Sequence, residues 1–117
     1  MRSYVTNCVR PRIVVCEFND AWGPHESVTV PYDPHFSWEI GSLYMGASLA
    51  AMCKLAAEKG YRLVGTQRYG FNAFFVREDL ARETVPTATP EDCLGHPKAR
   101  SQMARLHEVS DRAWVRV

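Results

Sequence analysis

Ile13-Val14-Val15-Cys16 is a run of consecutive apolar, mostly β-branched residues with no alternation, and it constrains the fold more than any other stretch. Such a run suits a strand covered on both faces, hence a parallel or mixed sheet carrying helices. Pro11 marks its start. Directly after it come Glu17, Asn19, Asp20, Trp22, His25, Glu26, Tyr32, Asp33 and His35, inside a long loop over residues 19–42 punctuated by Pro24, Pro31 and Pro34. Loops longer than about 12–15 residues are uncommon in compact domains and are often functional.

The rest of the chain reads as alternating elements. Ser27–Val30 predicts a short extended piece. Leu43–Lys59 predicts a helix with Met45, Leu49, Met52 and Ala56 on one face, Ser42 as N-cap and Gly60 just past the end. Gly46 inside that helix suggests close packing against another backbone. Tyr61–Thr66 and Asn72–Arg77 predict a hairpin with Gly70 in its turn. A Thr/Pro-rich connector, ETVPTATP, leads to Thr89-Pro90-Glu91-Asp92, a helix start with a capping hydroxyl, proline at the first position and acids in the first turn. Met103 and Leu106 give a weak stripe through 98–109, and Trp114–Val117 reads as a short strand or a pinned tail. Tyr4, Val5, Cys8 and Val9 have the spacing of a short helix.

At 117 residues the chain is one domain, with a core over 9–80 and a helix and tail over 86–117. A net charge of +1 without a basic block excludes an electrostatic case for nucleic acid or an anionic membrane. Without a membrane-length apolar run or a secretory h-region, the expected location is cytoplasmic. The four cysteines, Cys8, Cys16, Cys53 and Cys93, form no C-x-x-C pair and read as buried structural thiols of a reducing compartment.

Several words of the sequence, PRIVVCEFN, SVTVPYDP, YMGASLAAMCKLAAEKGYRLVG and GFNAFFVREDL, occur in an order that resembles the C-terminal half of class I S-adenosylmethionine-dependent methyltransferases, close to the FkbM type. The resemblance spans roughly residues 9–80. It implies an α/β, truncated Rossmann-like half-fold: one buried strand, a long loop, a helix, an antiparallel hairpin and a C-terminal helix. The cofactor site of that family lies on the first strands, with a Gly-rich turn. Here no two glycines are separated by one residue, and Gly41 and Gly46, at phosphate-loop spacing, are followed by Ala47-Ser48 rather than Lys-Ser/Thr. S-adenosylmethionine is therefore not expected to bind the isolated chain, and no cofactor is assigned. Missing neighbouring strands would leave strand 13–18 as an open edge, to be covered by a homodimer contact, by a heteromeric partner or by residues 1–10 and the tail.

In open α/β sheets ligands bind beyond the carboxyl ends of the strands. That places Glu17, Asp33 and His35 as candidate catalytic residues for acid–base chemistry. Asn19, Trp22, His25, Tyr32, Trp38 and Asn72 are the candidate substrate-binding residues. Each has a plainer alternative: Glu17 as an anchor of the loop, Asn19 as a turn-former, Asp33 as a cap of backbone amides, the aromatics as core. His25, Asp33 and His35 are the residues a divalent metal would draw on, at a spacing that matches no standard zinc or EF-hand pattern; no metal is assigned. Trp22, Trp38, Tyr44, Phe71 and Phe74 are taken first as core, and His96 and His107 as surface. Three functions stand open: a repurposed biosynthetic lyase, isomerase or cyclase acting on a small polar metabolite, a non-catalytic subunit completing a separate methyltransferase chain, and a ligand-binding protein without turnover.

Overall fold

A computed structural model describes residues 9–117; the helix considered around Tyr4–Val9 and the environment of Cys8 fall outside that range, save Val9 itself. β1 (Ile13–Glu17), β3 (Tyr61–Thr66) and β4 (Asn72–Arg77) form one sheet in the order β1-β4-β3. Both ladders are antiparallel, with Ile13 opposite Val76, Glu17 opposite Asn72 and Tyr61 opposite Arg77. The expectation of a parallel or mixed sheet is corrected: every ladder of this sheet is antiparallel, with β1 and β3 running in the same direction and β4 reversed between them. A bulge between Leu63 and Gly65 shifts the β3–β4 register. β2 (Val28–Thr29) and β5 (Val115–Arg116) form a second, two-stranded antiparallel sheet.

α1 (Leu49–Glu58) covers one face of the three-stranded sheet. Its Leu49, Met52 and Ala56 pack with Phe18, Leu63 and Phe75 in the main core, which Leu94 and Ala99 close from the C-terminal side. α1 begins six residues later than its sequence periodicity suggested, and the reason is in the backbone. The carbonyls of Leu43 and Met45 accept from the Asn19 side chain, that of Gly46 from the Val30 N–H, and that of Ala47 from the Asn19 N–H. Carbonyls committed to the neighbouring loop do not serve a helical ladder. Ser48 is the actual N-cap, its hydroxyl accepting from the Ala51 N–H. Ser42 instead forms a local turn, accepting from the Tyr44 N–H at 3.0 Å. Gly46 has φ +59° with open space where a Cβ would sit, so glycine serves the left-handed backbone there and not a close approach.

The hairpin spans the segments read from the sequence, as does the helix start at Thr89: α2 (Pro90–Cys93) is capped by the Thr89 hydroxyl. α3 (Pro97–Ala104) and a 3-10 turn at Leu106–Glu108 occupy the weak stripe. His96, taken as a surface residue, is buried and caps α3 through Nδ1, 3.3 Å from the Ala99 N–H; His107 is exposed.

The second face of the sheet departs most from expectation. Arg62 on β3 reaches the carbonyls of Leu80 and Val85, at 2.9 and 2.8 Å, and so draws the 80–87 connector across that end. At the β1 end nothing comparable lies over the strand among the described residues, and Ile13 and Val15 are 60% and 53% exposed. The unbroken apolar run therefore has one face packed and one open.

Asn19 joins the sheet to the loop. It is 1% exposed, gives its amide protons to Leu43 O (2.7 Å) and Met45 O (3.0 Å), and accepts from the Ala21 N–H (2.9 Å). Asn19→Ala strips partners from two carbonyls and one N–H and is expected to cost about 2–4 kcal/mol, read as a lower urea midpoint.

Candidate functional site

The residues nominated from the sequence gather around the segment 31–46 but do not converge on one point. Pro31, Asp33, His35, Phe36, Tyr44 and Arg112 line a cleft of about 380 Å³ on one side. Glu17, Trp38, Leu43, Phe71, Gln102 and Arg105 line another of about 390 Å³. The two share Ser42. Glu17 thus opens onto a different cleft from Asp33 and His35, and the three do not line a common pocket.

Asp33 is engaged in its own turn: Oδ1 accepts from the His35 N–H at 2.9 Å, and its carbonyl accepts from the Phe36 N–H at 3.1 Å. This is the plainer role foreseen for it, a carboxylate holding loop amides. Asn19 is likewise a backbone clasp, and its buried amide is not presented to a ligand. Tyr32 and His35 are exposed. His25 meets Glu91 of α2 at 3.2 Å, a contact on the surface. Of the three residues considered for a divalent ion, Asp33 and His35 meet through the His35 backbone amide, while His25 is engaged with Glu91. Among the described residues no group of three or more His, Cys, Asp or Glu side chains could hold one.

Trp22 stands half-buried, edge-on to Trp114 with ring centroids 5.1 Å apart; Trp114 meets Tyr44 in the same geometry. Together with the Tyr44 hydroxyl donating to Ala113 O at 2.6 Å, this stack pins the C-terminal tail to the loop. Trp22 is a packing residue here, as the aromatic-core alternative held. Trp38 differs: it is 49% exposed, and its indole N–H donates to Ser42 O at 2.8 Å, which sets its ring at the rim of the second cleft. Asn72 sits opposite Glu17 in the β1–β4 ladder, with its amide donating to Gln67 Oε1.

The sequence did not single out the residues that α3 and the turn after it bring beside the loop and the second cleft. Lys98 donates to Asp20 Oδ2 at 2.7 Å and to Gly70 O at 3.0 Å, and lies 3.7 Å from the centroid of the Phe71 ring. Asp20 is 2% exposed, so this ion pair is deep and ties the loop, the hairpin turn and α3 together. Gln102 and Arg105 lie one turn apart on the half-polar side of the weak stripe. Their only sequence signal was polar residues interleaved with Met103 and Leu106. Arg105 bonds both carboxylate oxygens of Glu108, at 2.9 and 3.0 Å, and holds that carboxyl below the usual glutamate range.

None of the described cysteines is set up as a nucleophile. Cys16, Cys53 and Cys93 are half-buried; burial raises all three thiols, and Cys53, with Cys93 adding to the effect, is pushed up to about 11. A raised pKa keeps the thiol neutral at pH 7 and shrinks the reactive thiolate fraction. Labelling of these three by a disulfide reagent is expected to be slow at neutral pH and to accelerate only as pH rises above the ordinary thiol range, with Cys53 last.

Glu17 ends β1 exposed, with no ion-pair or hydrogen-bond partner for its carboxylate among the described residues. Glu17→Gln is expected to leave stability within about 0.5 kcal/mol of the parent, which equilibrium unfolding checks; a larger loss would make the residue an anchor of the loop. Among the described residues no helix is long and apolar enough to cross a membrane. Compared with family models, curated proteins and solved structures, the chain matches none.

Proposed function

We propose that this chain acts as the closing portion of a methyltransferase-like sheet, completed along β1 by a cofactor-binding portion carried elsewhere. The observation that supports this most is the state of β1. Arg77 N–H donates to Arg12 O at 2.9 Å and Phe18 N–H to Phe71 O at 2.8 Å, so the even-numbered residues exchange backbone hydrogen bonds with β4. Ile13, Val15 and Glu17 then direct their N–H and C=O groups away from the sheet. Two of these same residues expose apolar side chains. A flat edge with apolar side chains invites another strand. The strand directions agree with this reading: β1 and β3 are co-directional, and the hairpin strand β4 is inserted antiparallel between them, as the end of an otherwise parallel sheet would be.

On this reading the isolated chain lacks the cofactor half and performs no methyl transfer alone. It supplies the loop at the carboxyl end of β1 as the substrate-facing side of the completed unit. A second reading, acid–base turnover of a small polar metabolite by the chain itself, is favoured by one observation, the unpaired Glu17 carboxylate at a cleft mouth. It is weaker because Asp33 and His35 line the other cleft. Self-pairing of two β1 strands into a homodimer is the other occupant of the edge.

In dilute solution the amides of Ile13, Val15 and Glu17 are expected to exchange rapidly with deuterium, and the chain to associate as concentration rises. Val15→Lys is expected to abolish that association while preserving the circular dichroism spectrum, because a charged edge resists pairing. Calorimetry with S-adenosylmethionine is expected to give no binding heat. Stoichiometric binding of that cofactor by the isolated chain, or slow exchange of those three amides in a monomer, would overturn the reading.

A further inference from the structure

The cleft beneath Trp38 has an electrostatic character that none of its residues showed singly. Its walls are apolar and aromatic, from Trp38, Leu43, Met45 and Phe71. Of its two charged residues, Arg105 is already neutralised: its guanidinium bonds both oxygens of Glu108 and donates to Gly41 O at 3.2 Å. Lys98, which approaches Phe71, is committed to Asp20 and to Gly70 O. The charge left to the cleft is the carboxylate of Glu17, which no cation in the described residues answers. A second acceptor accompanies it. Gln102 Oε1 is shielded from solvent and has no hydrogen-bond partner, although Gln102 lines the same cleft.

A buried acceptor without a donor is costly, and the exposed Glu17 carboxylate beside apolar walls lacks a counter-charge among the described residues. Both are relieved by a guest bringing N–H donors and positive charge. The Trp38 and Phe71 rings lining the same space suit an apolar or aromatic body on such a guest. An anionic guest meets the opposite situation: no uncommitted cation among the described residues lines the cleft.

We propose that this cleft is a binding site for a small organic ammonium, an amine with an apolar or aromatic body. The ammonium is placed at Glu17 and Gln102, and the body between Trp38 and Phe71. A volume of about 390 Å³ admits a ligand of that size. The site belongs to the chain as it stands and does not depend on whether β1 takes a partner strand.

Phenethylammonium is a suitable probe, with 3-phenylpropionate as its charge-reversed counterpart of similar shape. Titration of the full chain, followed by calorimetry and by ring-proton contacts in NMR, is expected to show saturable binding of phenethylammonium against Trp38 and Phe71. 3-Phenylpropionate is expected not to bind. Glu17→Gln, at an exposed position, is expected to weaken the amine by about tenfold, the loss of one charge-assisted hydrogen bond. Gln102→Leu, which removes the orphan acceptor and keeps the bulk, is expected to weaken it by a smaller factor without loss of stability. Absence of saturable phenethylammonium binding by the folded chain, equal affinity in Glu17→Gln, or equal binding of 3-phenylpropionate would each overturn the proposal.

Discussion

The Asn19 side chain is the constraint on which the loop, the start of α1 and both clefts depend. One amide group ties the end of β1 to the carbonyls of Leu43 and Met45, and the adjoining N–H takes Ala47 O. Those bonds hold residues 43–47 out of helical geometry beside the sheet, so that the helix begins only where Ser48 caps it. They also bring the far end of a long loop back to its start. Segment 36–45, held in this way, separates the cleft of Asp33 and His35 from that of Glu17. A carboxamide suits the position because it donates twice and accepts once within a few ångströms, a combination a carboxylate lacks.

Next to this clasp the Asp20–Lys98 pair brings the C-terminal helix into the same corner. A deep ion pair contributes little net stability once desolvation is counted, but it disfavours arrangements that separate its partners. Here it selects the docking of α3 against the hairpin turn, and with it the delivery of Gln102 and Arg105 to the cleft beside Glu17. The aromatic stack of Trp22, Trp114 and Tyr44 does the same for the tail through apolar contact. The polar loop residues are thus divided between two tasks. Asn19, Asp20 and Asp33 build the loop, while Glu17 and Trp38 remain available at its surface.

The unfinished side of the molecule lies along β1. On the same sheet face the connector that Arg62 anchors protects the β3 end, whereas Ile13 and Val15 meet solvent with their outward peptide groups beside them. Apolar side chains beside outward peptide groups that no described residue pairs are the observation that supports the proposal of an added strand at this edge. The amine cleft lies at the carboxyl end of that strand, so completion of the edge and occupation of the cleft are compatible events.

Local chemistry determined the hairpin, the cap and proline of α2 and the Gly60 stop of α1, because each depends on residues within a few positions of one another. The sequence also required Glu17 to be either paired or open onto a polar cleft, and the fold decided for the exposed end of β1. Other features were decided only when distant segments met. The late start of α1 follows from carbonyls claimed by Asn19 across more than twenty residues. The burial of His96 and the roles of Lys98, Gln102 and Arg105 follow from helix docking. The open face of β1 follows from what does and does not lie over it. A periodic pattern reports which side chains prefer burial, but not which partner reaches them. Backbone hydrogen bonds and ion pairs between remote segments have no local signature, so the division into two clefts exists only in the folded chain.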